Sequence, residues 1–274
     1  MSESASAAGL AGIKYIVAVA SGKGGVGKST TAVNLALAFA ALGKSTGLLD
    51  ADIYGPSQSK MLGLAEDTRP RIIDQKYMKP VRAHGIGSMS MGYLATDNTP
   101  MVWRGPMAGG ALIQMLEQTL WGDLDVLVVD MPPGTGDIQL TLAQKAAVSG
   151  AVIVTTPQDI ALLDARKGIE MFRKVNIPVL GIIENMAMHI CSNCGHVEHI
   201  FGEGGGLRVA GEYHVPLLGS LPLDRRIREE TDNGQPTVAR EPDGTIAAQY
   251  LAIARKVVDA LDGLDNSGPE IEFE

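Results

Sequence analysis

The sequence predicts one α/β domain in which a mostly parallel β-sheet is covered by helices on both faces. Short, continuously apolar runs alternate with helical stretches, as in strands that are buried on both sides. The glycine-rich segment 22–30 follows one such run and opens a helical stretch. No linker divides the 274 residues, so we expect a disordered N-terminus (1–12), a single domain (13–263) and an acidic tail (264–274).

Apolar runs rich in β-branched residues supply the predicted strands. They are KYIVAVA (14–20), STGLLDAD (45–52), DVLVVDMPPG (125–134, with its Pro/Gly turn), AVIVTTP (151–157), PVLGIIENM (178–186) and VPLLGSLP (215–222). The predicted helices run to about Leu42, from about Pro106 to Trp121, from about Ile160 to Lys174, from about Arg225, and from Ile246 to Leu261. The segment from about Tyr54 to Pro100 is expected to be irregular, with a short hairpin around Ile86–Met91. Ligands bind at the carboxyl ends of parallel strands, where the Gly, Asp and Pro clusters fall.

Composition narrows the possible partners. The formal net charge is −8 and no block of Lys and Arg occurs, which argues against a nucleic-acid partner. No apolar run reaches the length of a membrane span, and the first residues, MSESASAAGL, lack the features of a secretory signal. We therefore expect a cytoplasmic protein without a nucleic-acid or membrane partner.

The segment GKGGVGKST (22–30) has the setting of a phosphate-binding P-loop, between a strand and a helix. Its glycines let successive backbone N–H groups face a polyphosphate, and the helix N-terminus adds partial positive charge. We expect Lys28 to reach the β- and γ-phosphates, Ser29 to coordinate Mg²⁺ and Thr30 to bond the α-phosphate. The sequence thus predicts a three-layer P-loop NTPase fold that binds ATP with Mg²⁺. The residues predicted to hold the nucleotide are Gly22, Lys23, Gly24, Gly25, Val26, Gly27, Lys28, Ser29 and Thr30.

A second lysine, Lys23, occupies a position that an ordinary P-loop leaves free. It can reach the nucleotide of a facing subunit, as an arginine finger does in trans. The alternative is a solvated loop lysine.

Two aspartates complete the predicted site. Asp130 ends DVLVVD beside the P-loop, and we expect it to hold the water shell of Mg²⁺. Asp52 lies in DADIYGPS, and we expect it to orient the attacking water; either acid could instead be a solvent-facing strand end. PPGTGD (132–137) is then a switch loop that senses the γ-phosphate. The predicted catalytic residues are Lys23, Lys28, Asp52 and Asp130.

Three motifs together, KGGVGKST, DADIYGPS and DMPPGTGD, resemble the Mrp/ApbC family of iron–sulfur cluster carrier ATPases, within the deviant Walker A group. The resemblance covers about Lys14 to Ala260 and includes ENM followed by a CxxC. It implies that Lys23 is the signature lysine acting across a homodimer, with Asp52 in switch I and Asp130 in switch II. The adenine contacts that it implies are Asn185, in ENM, and Pro222 with the segment after it.

Cys191 and Cys194 are the only cysteines and lie in a loop near 187–202. A disulfide between them would close almost no loop, so metal or redox chemistry is expected instead. The pair aims two thiolates at one point, whereas zinc or a 4Fe–4S cluster needs about four ligands. A twofold dimer supplies the second pair, which predicts a homodimer, and the resemblance implies a 4Fe–4S cluster bridging two subunits. The open alternatives are zinc on the same four thiolates, zinc within one chain helped by His196 and His199, a redox dithiol and inert thiols.

The first functional hypothesis is an ATP-binding carrier or scaffold that holds a 4Fe–4S cluster between two subunits, passes it to apo iron–sulfur proteins and hydrolyses ATP slowly. The alternative is a spatial organiser that resembles the septum-site and plasmid-partition ATPases, with structural zinc at the CxxC. The acidic end DGLDNSGPEIEFE is unlike the basic amphipathic helix of a membrane-bound organiser. A reductase similar to the nitrogenase iron protein is disfavoured, because the stretches 92–98 and just after Asp130, where its cluster cysteines would fall, contain none.

Overall fold

The computed structural model describes residues 9–53, 55–94 and 105–266. The strands in these residues are β1 (Ile13–Ala20), β2 (Thr46–Asp50), β3 (Arg71–Ile73), β4 (Tyr77–Lys79), β5 (Val81–Ala83), β6 (Ile86–Ser90), β7 (Leu124–Asp130), β8 (Gly150–Thr155), β9 (Val179–Glu184), β10 (His189–Ile190), β11 (Val197–Glu198) and β12 (Leu217–Ser220). The α-helices are α1 (Lys28–Ala41), α2 (Gln58–Met61), α3 (Gly105–Gln118), α4 (Asp137–Lys145), α5 (Asp159–Lys174), α6 (Gly205–Tyr213), α7 (Arg225–Asp232), α8 (Thr237–Arg240) and α9 (Thr245–Asn266).

Eight of these strands form one sheet in the order β12-β9-β8-β1-β7-β2-β6-β5. All neighbours are parallel except β5, which pairs antiparallel with β6 at the edge. Strand β7 lies between β1 and β2, and Asp130 at its end is in register with Val19 on one side and Asp50 on the other. The predicted hairpin around 86–91 is the β5–β6 pair, and the predicted fold class is confirmed.

Helices cover both faces of the sheet because its central strands are apolar on both sides. Along β1, Ile16 and Ala18 belong to one buried cluster, with side chains of α3 to α6. Val17 and Val19, which alternate with them, belong to a second cluster with α1, α8 and α9. Helix α1 is buried along most of its length, since it lies between the sheet and α9. The P-loop is thereby fixed between a buried strand and a buried helix.

Two nine-residue helices, α4 and α6, were not predicted, and neither were the four-residue helices α2 and α8. Helix α4 begins at Asp137, the last residue of the predicted switch loop, and its polar sequence DIQLTLAQK gives a weak apolar pattern. Helix α6 begins within GEGGG (202–206), a run typical of a loop. Its Gly206 N–H donates to the buried Glu184 carboxylate at 2.6 Å, so a group distant in sequence satisfies one of the free N–H groups of its first turn.

The chain ends differ in detail from the predicted boundaries. Residues 9–12 form turns before β1, and the rest of the predicted N-terminal segment, 1–8, lies outside the described residues. Helix α9 continues to Asn266, into the predicted tail, and residues 267–274 lie outside the described part. Among the described residues, every helix is too short or too polar to cross a bilayer.

Candidate nucleotide site and cysteine hairpin

The P-loop is curled by two glycines in the left-handed region. Gly25 and Gly27 both have φ of +83°, which residues with a Cβ rarely adopt. A Cβ at Gly27 would also clash with the side-chain amide of Asn185, which donates to the Val26 carbonyl at 2.9 Å. Asn185 follows β9, so the sheet itself fixes the loop. The loop leads directly into the first turn of α1.

The start of the P-loop packs on helix α5. A Cβ at Gly22 would clash with the backbone of Asp164, so only glycine fits this contact. The hydroxyl of Ser21 donates to the Lys23 carbonyl at 2.8 Å. Lys23 is half-buried and lies on the loop next to α5.

Lys28 is the cation around which the predicted catalytic side chains meet. Its side chain is 6% exposed, and its Nζ lies 2.5 Å from Asp130 Oδ1 and 3.7 Å from Asp52 Oδ2. It also donates to the Ser29 hydroxyl at 3.1 Å. Since Asp130 is fully buried, this ammonium supplies the opposite charge that a buried carboxylate requires. The structure therefore brings Lys28, Ser29, Asp52 and Asp130 together, and Lys23 is the predicted catalytic residue outside this group.

Asp50 was not among the predicted site residues, although it begins the DAD motif. Its carboxylate accepts hydrogen bonds from the backbone N–H groups of Asp52, Ser57 and Gln58 and from the Ser90 hydroxyl. Burial, with the charge of neighbouring Asp130 second, raises the pKa of Asp50 to about 7. Asp50 thus anchors both ends of the segment 52–58, which includes the predicted switch I aspartate.

Gln58 is a second site residue that the sequence did not reveal. Its side chain is fully buried, and its amide nitrogen donates to the Ser29 carbonyl at 3.0 Å and to Asp130 Oδ2 at 2.8 Å. A glutamine in a polar stretch is ordinarily exposed, and these partners are distant in sequence. No local pattern could have indicated this contact.

The donor set around Lys28 fits Mg²⁺. This ion prefers oxygen ligands and keeps several waters. A hydroxyl (Ser29) and two carboxylates (Asp52 and Asp130) meet at the carboxyl edge of the sheet. The Oε1 atom of Gln58 in the same cluster is buried and has no hydrogen-bond partner in the described part of the chain.

Two adjoining cavities have the positions expected for phosphate and base. The first, about 210 Å³, is lined by P-loop residues together with Asp52 and Pro133. The second, about 190 Å³, is lined by Asn185, Pro222 and residues of α7. Both include Gly27 and Thr30, so they lie side by side. The sequence predicts this part of the adenine lining only as the segment after Pro222, without naming residues of α7 such as Arg228.

A larger cleft of about 770 Å³ opens at the opposite, amino edge of the sheet. Its lining includes Lys44, Arg82 and Trp121, and it contains none of the predicted site residues. The site chemistry therefore lies in the smaller cavities.

The two cysteines lie in the turn of a short hairpin formed by β10 and β11. The turn is closed by hydrogen bonds from Cys191 N to the His196 carbonyl and from Gly195 N to the Cys191 carbonyl, both 2.9 Å. Hydrogen bonds from the backbone N–H groups of Cys194 and Asn193 hold the pKa of the Cys191 thiol below its usual value. The thiolate is the form that binds metals, and a lowered pKa favours this form.

The nearby histidines do not complete a four-ligand site. His199 uses Nδ1 on the Ala187 carbonyl at 2.9 Å, and its Nε2 is 3.8 Å from the Glu203 carboxylate. Within the described residues, no group of three or more His, Cys, Asp and Glu side chains is arranged to hold a metal ion. The described part of one chain thus offers two thiols where a cluster or zinc needs about four ligands.

An apolar patch lies at the carboxyl edge of the sheet, where the nucleotide site and the cysteine hairpin also lie. Six exposed apolar side chains, each between 47% and 65% accessible, form it: Ile160, Leu163, Ile190, Val197, Ile200 and Leu207. They come from α5, the cysteine hairpin and the segment leading into α6. These elements meet where Pro157 packs against Gly202 and Gly205 and where His199 bonds to the Ala187 carbonyl. We call these six residues the apolar patch.

Comparison with known proteins decides the family. The model of the ParA family described as NUBPL iron-transfer P-loop NTPase matches residues 12–258. The chain belongs to this family. The resemblance drawn from its motifs is confirmed, and P-loop NTPases of this kind bind and hydrolyse nucleotides.

The chain is similar to a curated relative and to two solved structures. A protein of Pseudomonas fragi called iron-sulfur cluster carrier protein is 68% identical over 246 residues, which is 90% of this chain and 86% of that one. A nucleotide-binding protein of Archaeoglobus fulgidus, solved with ADP, is 39% identical with a TM-score of 0.73, covering 82% of this chain and 88% of that one. The cell-division ATPase MinD of Pyrococcus furiosus has a TM-score of 0.69 over 90% of this chain and 99% of its own. At 23% identity it supports the fold alone, so the spatial-organiser alternative is not favoured.

Proposed function

We propose that this chain is an ATP-dependent iron–sulfur cluster carrier that holds a 4Fe–4S cluster between two copies and passes it to apo-proteins. The observation that carries the proposal is the hairpin turn, which holds two free cysteines close together in the chain while the described residues offer no further ligands for a metal ion there. The hairpin belongs to a chain whose family is described as iron-transfer NTPases. Four thiolates from two copies would match the needs of the cluster.

The P-loop residues would bind ATP and hydrolyse it weakly. Backbone N–H groups of Gly24 to Thr30 cradle the phosphates, and Lys28 neutralises charge on the β- and γ-phosphates. Asp52 orients a water that attacks the γ-phosphorus; the bond to the ADP oxygen breaks, and ADP, phosphate and a proton are released. Ser29 and, through water, Asp130 would hold a Mg²⁺ ion, which would supply positive charge beside the phosphates. Asn185 and Pro222 line the cavity proposed for adenine.

Nucleotide binding would change the contacts of the two switch segments, because it would draw Lys28 away from their aspartates. In this structure its ammonium lies against Asp130 and Asp52. To contact a phosphate, Lys28 must give up at least part of this pairing, which frees one oxygen of Asp130. The two aspartates belong to the two switch segments, so the change reaches both. ATP occupancy would thus be coupled to the geometry of the edge of the sheet that also carries the cysteine hairpin.

A homodimer would complete both the cluster site at the CxxC and the nucleotide site. The apolar patch includes Ile190 and Val197 of the hairpin and also Leu163, which is adjacent in sequence to Asp164, the α5 contact of the P-loop. Exposed apolar patches of this kind commonly mark protein interfaces. A second copy packed on the patch would bring its own CxxC to the first one and would bring Lys23 toward the facing nucleotide.

Anaerobic reconstitution with iron and sulfide tests the proposal. Wild-type protein should take up about one four-iron cluster per dimer, and the double variant Cys191→Ala/Cys194→Ala should take up none while still binding ATP. The loaded protein should then restore the activity of an apo 4Fe–4S enzyme, measured with and without ATP. Retention of zinc with no iron uptake, or a loaded protein that cannot restore the apo-enzyme, would contradict the carrier function.

A further inference from the structure

Gln58 is buried in a place where a glutamine is costly. It is the first residue of α2, its side chain has no exposed surface, and its backbone N–H donates to Asp50 Oδ2 at 3.1 Å. Buried amides are retained when their hydrogen bonds specify an arrangement. The hydrogen bonds of the Gln58 side chain show which segments it holds together.

Its amide nitrogen joins three segments of the nucleotide site. One hydrogen bond reaches the Ser29 carbonyl in the P-loop at 3.0 Å, and the other reaches Asp130 Oδ2 at the end of β7 at 2.8 Å. Both partners are acceptors, so the amide can face them only with its NH₂ group. Gln58 itself belongs to the segment that follows Asp52. A single side chain thus connects the P-loop and both switch segments.

The two partners of Gln58 are the residues assigned to Mg²⁺. The other carboxylate oxygen of Asp130 is held by Lys28, the lysine that must turn toward phosphate when ATP binds. After that turn, Gln58 is the donor that keeps the Asp130 carboxylate in place. It also fixes the backbone of Ser29, whose hydroxyl is the direct ligand of the proposed ion. Its own Oε1 stays buried without a hydrogen-bond partner in the described residues, a cost that serves no packing purpose.

We infer that Gln58 is a positioning residue for the magnesium ion of the ATP site, and that through it the switch I segment controls that site. The inference rests on the proposed function only for its Mg²⁺–ATP site and needs no cluster chemistry. Supporting groups behind metal ligands commonly change metal affinity by about 10- to 100-fold when they are removed.

The first test is Gln58→Leu, which removes the amide and keeps most of the volume. A fluorescent ATP analogue is titrated in EDTA and then across a Mg²⁺ series. The half-saturating Mg²⁺ concentration should rise by about tenfold or more, while binding in EDTA stays within about twofold of wild type. Thr119→Val is the matched control, because it removes an equally buried hydroxyl, bonded to the Met115 carbonyl, far from the site. Its half-saturating Mg²⁺ should equal that of wild type.

A double-variant cycle separates positioning from general support of the fold. If Gln58 acts through Asp130, then Gln58→Leu should add little to the shift already caused by Asp130→Asn. Gln58→Met, closer to glutamine in shape, gives the answer if Gln58→Leu fails to fold. An unchanged Mg²⁺ requirement, or an equal loss of binding with and without Mg²⁺, would overturn the inference. A wild-type protein that binds ATP without regard to Mg²⁺ would instead overturn the magnesium site of the proposed function.

Discussion

The nucleotide site and the cysteine hairpin lie at the same edge of the sheet but are built in opposite ways. Around the P-loop, the side chains of Lys28, Asp50, Gln58 and Asp130 are all buried. Lys28 and Gln58 both donate to the Asp130 carboxylate, and the Gln58 backbone N–H donates to the Asp50 carboxylate. In the hairpin, Cys194 is exposed, and the flanking strands have two residues each. One site is organised almost entirely by its own chain, whereas the other is, in the proposed function, half of a site that a second copy completes.

This difference has a thermodynamic consequence. Substitutions in the nucleotide site should alter the stability of the single chain, because they remove partners from buried charges. Substitutions in the hairpin should leave chain stability almost unchanged and alter only what two chains do together. The predictions below test this division, from the largest effect to the smallest.

Replacing Lys28 with methionine should have the largest effect. ATP hydrolysis should fall by at least about 100-fold, because the cation on the transferred phosphate is lost. The nucleotide-free protein should also lose about 3 kcal/mol of unfolding free energy, because the buried Asp130 carboxylate is left without its cation. Phosphate release and urea unfolding measure the two effects. Lys60→Met, an exposed lysine of α2, is the control and should change stability by less than about 0.5 kcal/mol. Equal stability of Lys28→Met and wild type would mean that Asp130 is hydrated.

A heterodimer with one defective hairpin tests whether the hairpin is half of a site. Two differently tagged copies are expressed together, one of them Cys191→Ala/Cys194→Ala, and the mixed dimer is isolated through both tags. If the cluster needs thiolates from both copies, the mixed dimer should bind less than about a tenth of the iron of a doubly tagged wild-type dimer. Half of the wild-type iron would mean that each chain holds its own metal.

Leu163→Glu should weaken the dimer without unfolding the chain. Leu163 is 52% exposed in the apolar patch, so the charge costs little in one chain but would be buried between two. We expect the dissociation constant in the presence of ATP to rise by about five- to tenfold, measured by sedimentation. Ile72→Glu, 54% exposed on β3 and outside the patch, is the matched control. Equal dissociation constants for the two variants would remove the patch from the interface.

The same division explains how much the sequence could predict. The P-loop, the buried strands and the ends of β2 and β7 follow from local motifs and apolar runs, so the fold class and the group formed by Lys28, Ser29, Asp52 and Asp130 could be predicted from the sequence. Helix α6 could not be predicted, because its start within GEGGG depends on the Glu184 carboxylate at the end of β9, which accepts a hydrogen bond from the Gly206 N–H. Such a contact leaves no trace in neighbouring residues.

Asp50 and Gln58 show the same limit within the site. Asp50 ends the apolar strand β2 and Gln58 lies in a polar stretch, and what distinguishes both is that they are buried against partners distant in sequence. Gln58 lies 72 residues from Asp130, and Asp50 lies 40 residues from Ser90. Sequence patterns locate residues that contact the ligand through motifs, but they do not locate the side chains that hold those residues in position.

The smallest effect is expected for the histidines beside the hairpin, in the double variant His196→Ala/His199→Ala. His199 already uses Nδ1 on the Ala187 carbonyl, and the described residues show no ligand group that includes it with the cysteines. The iron content after reconstitution should therefore match that of wild type, while the loss of one hydrogen bond lowers stability by about 1 kcal/mol. Metal analysis on protein purified with added zinc, together with dimer mass, completes the measurement. If the variant loses a zinc ion that monomeric wild type retains, the hairpin is a complete zinc site within one chain, and the contrast between the two regions fails.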